Sequence, residues 1–331
     1  GDVYKRQVLT HPGSIIWPVL ISDYLLQGGE ITNLFAAAHH GYLAGKASAK
    51  LFGASHRGTW HLTATSGAVA ATAALARFRK LDSAKEVIAL KMVITNLSGS
   101  PQAGFERKGA TQLNRAFAAN QAITAVNAAE FNAPYIDEIW DSNRGVVALY
   151  NLDPKTLQLA DDLEIEKILL DATSSLHLRV YFATGFASSA IAATLELLQE
   201  VGTPDKVEVE LSKSLTGLLD GTRGGIWWNP RLIIQSLMKT HDPFNISENS
   251  LWNGEVALIF GEIPVGGAKV SFKKGNEIIN KSIDTAPFNI KNLTPEELKM
   301  TYTKWENISG RKDLETMPIK ECLALIKELF S

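Results

Sequence analysis

Cysteine is nearly absent from this sequence of 331 residues. The one cysteine, Cys322, excludes an intramolecular disulfide and a zinc site built from several cysteines. The seven histidines include no His-x-x-x-His pair, and the adjacent His39 and His40 cannot face one ion from a helix because neighbouring side chains diverge around the axis. We therefore expect no metal site.

Long apolar runs and clustered basic residues are also missing. No run approaches the roughly 18 apolar residues that a membrane span needs. The 33 basic and 35 acidic residues give a net charge of −2 and are scattered, which gives no electrostatic footprint for nucleic acid or an anionic membrane. We expect a small polar substrate, no nucleic-acid or membrane partner and, with no signal peptide, a cytoplasmic location.

Glycine motifs for cofactors are lacking as well. Residues 99–109 hold three glycines but neither the Gly-x-Gly-x-x-Gly spacing nor a preceding strand, and the sequence contains no Gly-x-Ser-x-Gly elbow. The chain opens without methionine, and we interpret residues 1–7 as a non-native remnant that stands in place of the natural N-terminus.

Alanine is distributed unevenly: residues 1–150 contain 27 alanines and residues 151–331 only 11. Apolar spacing in the first part predicts five helices, several rich in small residues, which indicates a helical bundle whose interior helices are buried on all sides. A capping box is predicted at Ser83, and Gly28 is predicted to end the first helix. The predicted helices are 14–26, 31–52, 63–79, 83–97 and 110–131.

The pattern changes beyond about residue 200. Residues 207–211 alternate apolar and polar side chains with the period of a half-buried strand. Three further strands (255–260, 268–272 and 277–283) and two interleaved helices (188–200 and 230–239) indicate a small α+β domain. A capping box at Thr294 starts the first of two final helices, 295–308 and 318–330.

Two histidines stand just before predicted helices. His11 precedes the first apolar helix, and His61 precedes the alanine-rich third helix, with Thr63 two residues further on. Free amides at a helix start bind carboxylates, and the helix dipole lowers the pKa of an imidazole there. A histidine taken alone is more typical of the surface or of a hydrogen-bonded core position. Two of them at two helix starts favour proton transfer on a small carboxylic acid.

The sequence resembles the MmgE/PrpD family, whose members include 2-methylcitrate dehydratase and cis-aconitate decarboxylase. The resemblance covers residues 8 to about 200 and depends on the order and spacing of several short motifs. These motifs are His11-Pro12-Gly13, Gly41-Tyr42, Arg57-Gly58 with His61-x-Thr63 and Gly67, Lys80-Leu81-Asp82, Glu130-Phe131-Asn132-Ala133-Pro134, and Arg179-x-Tyr181 with Ile191-Ala192-Ala193.

The resemblance implies a mainly α protein with an all-helical bundle domain, a smaller α+β lid domain, and C-terminal helices that return to the bundle. On this basis the helical domain spans residues 8–172 and 288–331, and the lid spans residues 173–287. The resemblance also implies an active site without a cofactor between the two domains, usually in a homodimer.

Site residues are transferred from the family position by position. His11 and His61 match its catalytic histidines, and Lys108, which we also assign a catalytic role, lies within one residue of its active-site lysine. Thr63, Arg179 and Ser188 fall at positions that we assign to substrate binding. Arg179 replaces a family lysine and can still hold a carboxylate through two parallel hydrogen bonds. Ser188 replaces a family histidine and cannot exchange a proton near neutral pH.

These assignments predict a cofactor-independent lyase, a dehydratase or decarboxylase, or an isomerase, that acts on a di- or tricarboxylic acid such as 2-methylcitrate or aconitate. The alternative is a catalytically inactive family member that binds a ligand or acts as a dimer scaffold. The substitutions at Arg179 and Ser188 favour that alternative.

Overall fold

The computed structural model of the chain describes residues 3–5, 10–102, 110–141, 143–152, 176–220 and 225–329. Their contacts divide them into two units. The helical unit comprises the described residues up to Leu176 together with those from Met317 onward, and the mixed unit comprises the described part of His177–Thr316. Helices predominate, so the prediction of a mainly α fold is confirmed.

The helical unit begins with a short strand and continues almost entirely as helices. The five helices predicted between residues 14 and 131 are all present, and a short sixth helix follows them. The elements are β1 (Val3–Lys5), α1 (Gly13–Gln27), α2 (Ile31–Thr59), α3 (Leu62–Phe78), α4 (Ser83–Ile94), α5 (Ala110–Glu130), α6 (Val146–Tyr150) and, near the end of the chain, α10 (Ile319–Leu329).

Helix α3 lies at the centre of this unit. It packs against α1, α2, α4 and α5, and every one of its residues except Arg77 is buried. Small side chains permit this packing, because a Cβ atom placed on Gly41 of α2 would lie 2.7 Å from the carbonyl oxygen of Ala70 and 2.8 Å from the Cβ atom of Ala74. The alanine-rich sequence of α3 thus lets neighbouring helices approach its backbone closely.

Three predicted helix boundaries differ in how closely they agree with the structure. Gly28 ends α1 with a φ of 73°, as predicted. The predicted capping box at Ser83 is wrong: Asp82 is the N-cap and accepts a hydrogen bond from the backbone of Lys85. Helix α2 continues beyond residue 52 through a kink at Gly53, where φ is 69°.

The mixed unit contains a four-stranded sheet with helices. In spatial order the strands are β4 (Glu255–Gly261), β3 (Lys206–Ser212), β5 (Ala268–Lys274) and β6 (Glu277–Ile283). Strand β3 pairs parallel to β4 and antiparallel to β5, and β6 is antiparallel to β5. The four strands and the helices predicted at 188–200 and 230–239 are present. The elements are β2 (Leu176–Leu178), α7 (Ser188–Val201), β3 (Lys206–Ser212), α8 (Pro230–Thr240), β4 (Glu255–Gly261), β5 (Ala268–Lys274), β6 (Glu277–Ile283) and α9 (Pro295–Ser309).

Strand β3 shows why this sheet has one core face. Val207, Val209 and Leu211 are fully buried, whereas the intervening residues are partly exposed. Helix α7 packs on β5 and β6, and α8 packs on β4. The period-two pattern of the sequence therefore marks the face that the helices cover.

Helix α9 starts with the predicted capping box, in which Thr294 and Glu297 exchange side-chain-to-backbone hydrogen bonds. The sequence placed this helix in the helical domain, but its contacts place it in the mixed unit. Glu297 also accepts a hydrogen bond from the backbone of Phe288, and Met300 packs against the apolar core of the sheet. None of the described helices is both long and apolar enough to cross a membrane.

Candidate active site

The N-terminal ends of α1 and α3 lie close together, and two of the predicted site residues form a hydrogen bond there. The backbone N–H of His11 donates a hydrogen bond to the Thr63 hydroxyl at 3.2 Å, and His61 lies two residues earlier in the same helix start. Thr63 is buried, whereas His11 and His61 are partly exposed. The structure therefore brings His11 close to His61 and Thr63, although His11 precedes Thr63 by 52 positions in the sequence.

Glycines set the distance between the helices at this point. A Cβ atom placed on Gly45 of α2 would lie 2.9 Å from the Cβ atom of Ala70 and 3.7 Å from that of Pro12, the N-cap of α1. A Cβ atom on Gly67 would lie 2.4 Å from Cδ1 of Ile15. A side chain at residue 45 would push α2 away from α3, and one at residue 67 would displace the end of the Ile15 side chain, so glycine at both positions permits this close packing on α3.

His61 is the N-cap of α3, and its side chain does not cap the helix. Its backbone N–H donates to the carbonyl oxygen of Gly99 at 2.8 Å, and Nδ1 of its ring lies 3.3 Å from Nδ2 of Asn114 on α5. Burial, with a smaller effect of the positive charge of Arg115, lowers the pKa of His61 to about 4. The imidazole is therefore neutral near pH 7. The His61 side chain accepts no hydrogen bond from the backbone amides in the first turn of α3.

A second, fully buried histidine supports this helix start. Nε2 of His56 lies 3.0 Å from the Thr65 hydroxyl, and the ring stacks between Phe52 and Trp60, with centroid distances of 4.5 and 5.9 Å. Tyr150 packs edge-on against all three rings. Burial lowers the pKa of His56 to about 4. This aromatic stack joins the end of α2 to the first turn of α3.

Two of the other predicted site residues, Arg179 and Ser188, belong to the mixed unit. Nε of Arg179 donates to the carbonyl oxygen of Ala183 at 2.8 Å, and the backbone oxygen of Arg179 accepts a hydrogen bond from the Lys304 ammonium. Ser188 is the first residue of α7 and is 2% exposed. Lys108 lies outside the described residues. Within the described part of the chain, no three His, Cys, Asp or Glu side chains group closely enough to hold a metal ion.

With this geometry established, comparison with known proteins gives one family. Residues 1–158 match the MmgE/PrpD N-terminal domain. The first 158 residues are therefore similar to the N-terminal domain of the MmgE/PrpD family. This similarity suggests a dehydratase-like lyase. No curated protein matches the chain.

Sequence reasoning missed three residues around His61: His56, Gly99 and Asn114. The first left a signal, because Phe52, His56 and Trp60 recur every four residues and mark one aromatic face of a helix. Gly99 and Asn114 left none, because their relation to His61 depends on the path of the turn between α4 and α5. Gly99 and Asn114 follow His61 by 38 and 53 positions in the sequence, and local sequence patterns do not reveal contacts over such separations.

Proposed function

We propose that the chain is a cofactor-independent lyase that acts on a small di- or tricarboxylic acid, such as 2-methylcitrate or aconitate, by dehydration, decarboxylation or isomerisation. The hydrogen bond between His11 and Thr63 carries this proposal, because it joins two helix starts and places His11 beside the helix that His61 begins. Amides at helix starts bind carboxylates, so the region suits an anionic substrate.

The proposed chemistry divides the work among the predicted residues. Removal of a proton α to a carboxylate places negative charge on the carboxylate oxygens, and loss of hydroxide requires an acid. His11 transfers the proton, His61 stabilises the developing negative charge, and Lys108 and Arg179 hold substrate carboxylates through charge-assisted hydrogen bonds.

Thr63 and Ser188 complete the proposed set of substrate contacts. The hydroxyl oxygen of Thr63 accepts a hydrogen bond from the backbone N–H of His11. The hydroxyl group can therefore donate its hydrogen to a substrate oxygen. In this proposal the protein works as a homodimer in the cytoplasm.

Hydrogen exchange tests the chemistry without a prior choice of substrate. The protein is incubated in deuterated water with citrate, 2-methylcitrate, aconitate and related acids, and deuterium at the α carbon is measured by NMR. We expect exchange with at least one acid and its loss in His11→Ala and His61→Ala. His39→Ala, which removes an exposed histidine from α2, is the matched control. Full activity in either site variant contradicts the assignment.

One observation favours the alternative of an inactive ligand-binding protein. Ser188, the first residue of α7, stands where the family has a histidine, and its hydroxyl cannot exchange a proton near neutral pH. If the alternative is correct, one of the acids raises the melting temperature of the protein without exchange or turnover.

A further inference from the structure

We propose that Asn114 is a positioning residue that holds neutral His61 in the tautomer with its hydrogen on Nε2, which makes His61 a hydrogen-bond donor to substrate rather than a base. The tautomer follows from the geometry of these side chains alone. The role toward substrate rests on the proposed function.

The orientation of the Asn114 amide is fixed by a backbone carbonyl. Nδ2 of Asn114 lies 3.0 Å from the carbonyl oxygen of Ser100. A carbonyl oxygen can only accept a hydrogen bond, so the amide nitrogen, and not the amide oxygen, must face it.

The same amide nitrogen determines the state of the His61 ring. An amide NH₂ group carries two hydrogens, and Ser100 takes one of them. The other is directed to Nδ1 of His61, 3.3 Å away. A donor at this position requires a lone pair on Nδ1, so the hydrogen of the neutral imidazole must be on Nε2.

The backbone between α4 and α5 holds both partners in place. Gly99 accepts the backbone N–H of His61 at 2.8 Å, and Ser100 accepts the Asn114 amide. A Cβ atom on Gly99 would lie 3.0 Å from the Cβ atom of Ala64, 3.5 Å from that of His61 and 3.6 Å from Cγ of Asn114. Its φ of +123° is also one that residues with a side chain rarely adopt. This close contact leaves the ring and the amide little freedom to rearrange.

The neutral state of His61 completes the argument. Burial and the nearby charge of Arg115 keep the pKa of the ring near 4, so the ring carries one hydrogen at neutral pH. Among the described residues, none forms a hydrogen bond with Nε2. Loss of the Nε2 hydrogen would leave an imidazolate, so the ring donates a hydrogen bond and keeps its proton. Such a donor stabilises negative charge that develops on a substrate carboxylate, which leaves proton transfer to His11.

Nitrogen NMR measures the tautomer directly. The full chain is prepared with ¹⁵N-labelled histidine, and the ring signals of His61 are assigned by their loss in His61→Gln. At pH 7 we expect a pyridine-type signal for Nδ1 and a pyrrole-type signal for Nε2. A pyrrole-type Nδ1 in the unmodified protein overturns the proposal.

Two substitutions test whether Asn114 is the cause. Asn114→Asp offers an acceptor to Nδ1, so we expect the two signal types to exchange places. Asn114→Ala removes the donor, so we expect averaged signals of a mixture. Asn120→Asp places the same change on the same helix away from His61 and should leave the spectrum unchanged. Folded variants, checked by circular dichroism, that keep the original tautomer refute the role of Asn114.

Kinetics with any acid that reacts in the exchange assay then test the donor role. Loss of one preorganised donor lowers kcat about 100-fold, so Asn114→Asp should reduce kcat by that order with a much smaller change in KM. Unchanged kcat with an inverted tautomer refutes the donor role. Absence of reaction with every acid refutes the proposed function but leaves the tautomer result valid, so the two failures can be told apart.

Discussion

Ile15 of α1 occupies the space that a side chain on Gly67 of α3 would need. A Cβ atom on Gly67 would lie 2.4 Å from Cδ1 of Ile15, and Ile15 is fully buried. Uncharged carbon atoms do not approach this closely, so a side chain at residue 67 would displace Cδ1, the end of the packed Ile15 side chain. The hydrogen bond from His11 to Thr63 depends on the close packing of α1 on α3.

Gly67→Ala should therefore destabilise the protein by about 1–3 kcal/mol, the usual cost of adding a methyl group to a packed core. Urea unfolding measures the loss. Gly225→Ala is the control, because nothing lies within 4 Å of a Cβ atom at that position.

A double mutant identifies the cause. Ile15→Val removes Cδ1, so Gly67→Ala should cost less in the Ile15→Val background than in the unmodified protein. Additive effects would mean that the two residues do not clash.

The sequence predicted the helices of the helical unit because apolar spacing and alanine content mark buried helix faces locally. It also predicted the sheet face through Val207, Val209 and Leu211. The sequence assigned α9 to the helical domain, because the contact of Met300 with the core of the sheet is a tertiary contact that local sequence patterns do not show. The sequence marked His11 and His61 through the helices that follow them. It could not reveal Asn114, whose function depends on the hydrogen bond that Ser100 accepts.

Thr63→Val should lower the free energy of unfolding by about 1–3 kcal/mol, because it removes the hydroxyl that accepts a hydrogen bond from the partly buried backbone N–H of His11. Thr63→Ser keeps the hydroxyl and should retain most of the stability. The control on the same helix is Thr72→Val: the buried Thr72 hydroxyl only donates, to the carbonyl oxygen of Ala68, and its removal leaves no donor unpaired. Equal losses in Thr63→Val and Thr72→Val would contradict the special role of the His11 contact.

Acid should destabilise the protein through His56. Burial lowers its native pKa to about 4, whereas an unfolded histidine titrates near 6.5. Between these values the unfolded chain binds a proton that the native protein does not, so the stabilisation is complete above pH 6.5 and is lost as the pH falls toward 4. One such histidine contributes a slope of up to about 1.4 kcal/mol per pH unit.

The comparison that isolates His56 is the slope of unfolding free energy between pH 6.5 and 4.5. His56→Phe keeps an aromatic ring between Phe52 and Trp60 but cannot titrate, so its slope should be smaller than that of the unmodified protein. His39→Gln removes an exposed histidine and serves as the control. An unchanged slope in His56→Phe would show that His56 is not protonated differently in the two states.

Helices α1 and α3 are also joined at their far ends by a buried ion pair. NH2 of Arg79, the C-cap of α3, lies 2.6 Å from Oδ1 of Asp23 on α1, and Nε lies 3.1 Å from both carboxylate oxygens. NH1 of Arg79 contacts Asn127 and Glu130 on α5 at 2.6 and 2.9 Å. The hydrogen bond with Asp23, together with other contacts, raises the pKa of Arg79 above its ordinary value. The two helices therefore run in the same direction and are fixed at both ends.

Asp23→Ala should cost about 3–5 kcal/mol, because Asp23 is 5% exposed and its removal leaves the guanidinium with two of its five hydrogen bonds, those to Asn127 and Glu130. Glu262→Ala breaks an exposed pair with Lys213 and should cost less than about 1 kcal/mol. Because Thr63 still holds the other end of α1, the His61 tautomer in Asp23→Ala should match that of the unmodified protein under native conditions. Urea unfolding and the histidine NMR spectrum together separate these effects: a stability loss with a changed tautomer would show that the two ends of α1 are not fixed independently.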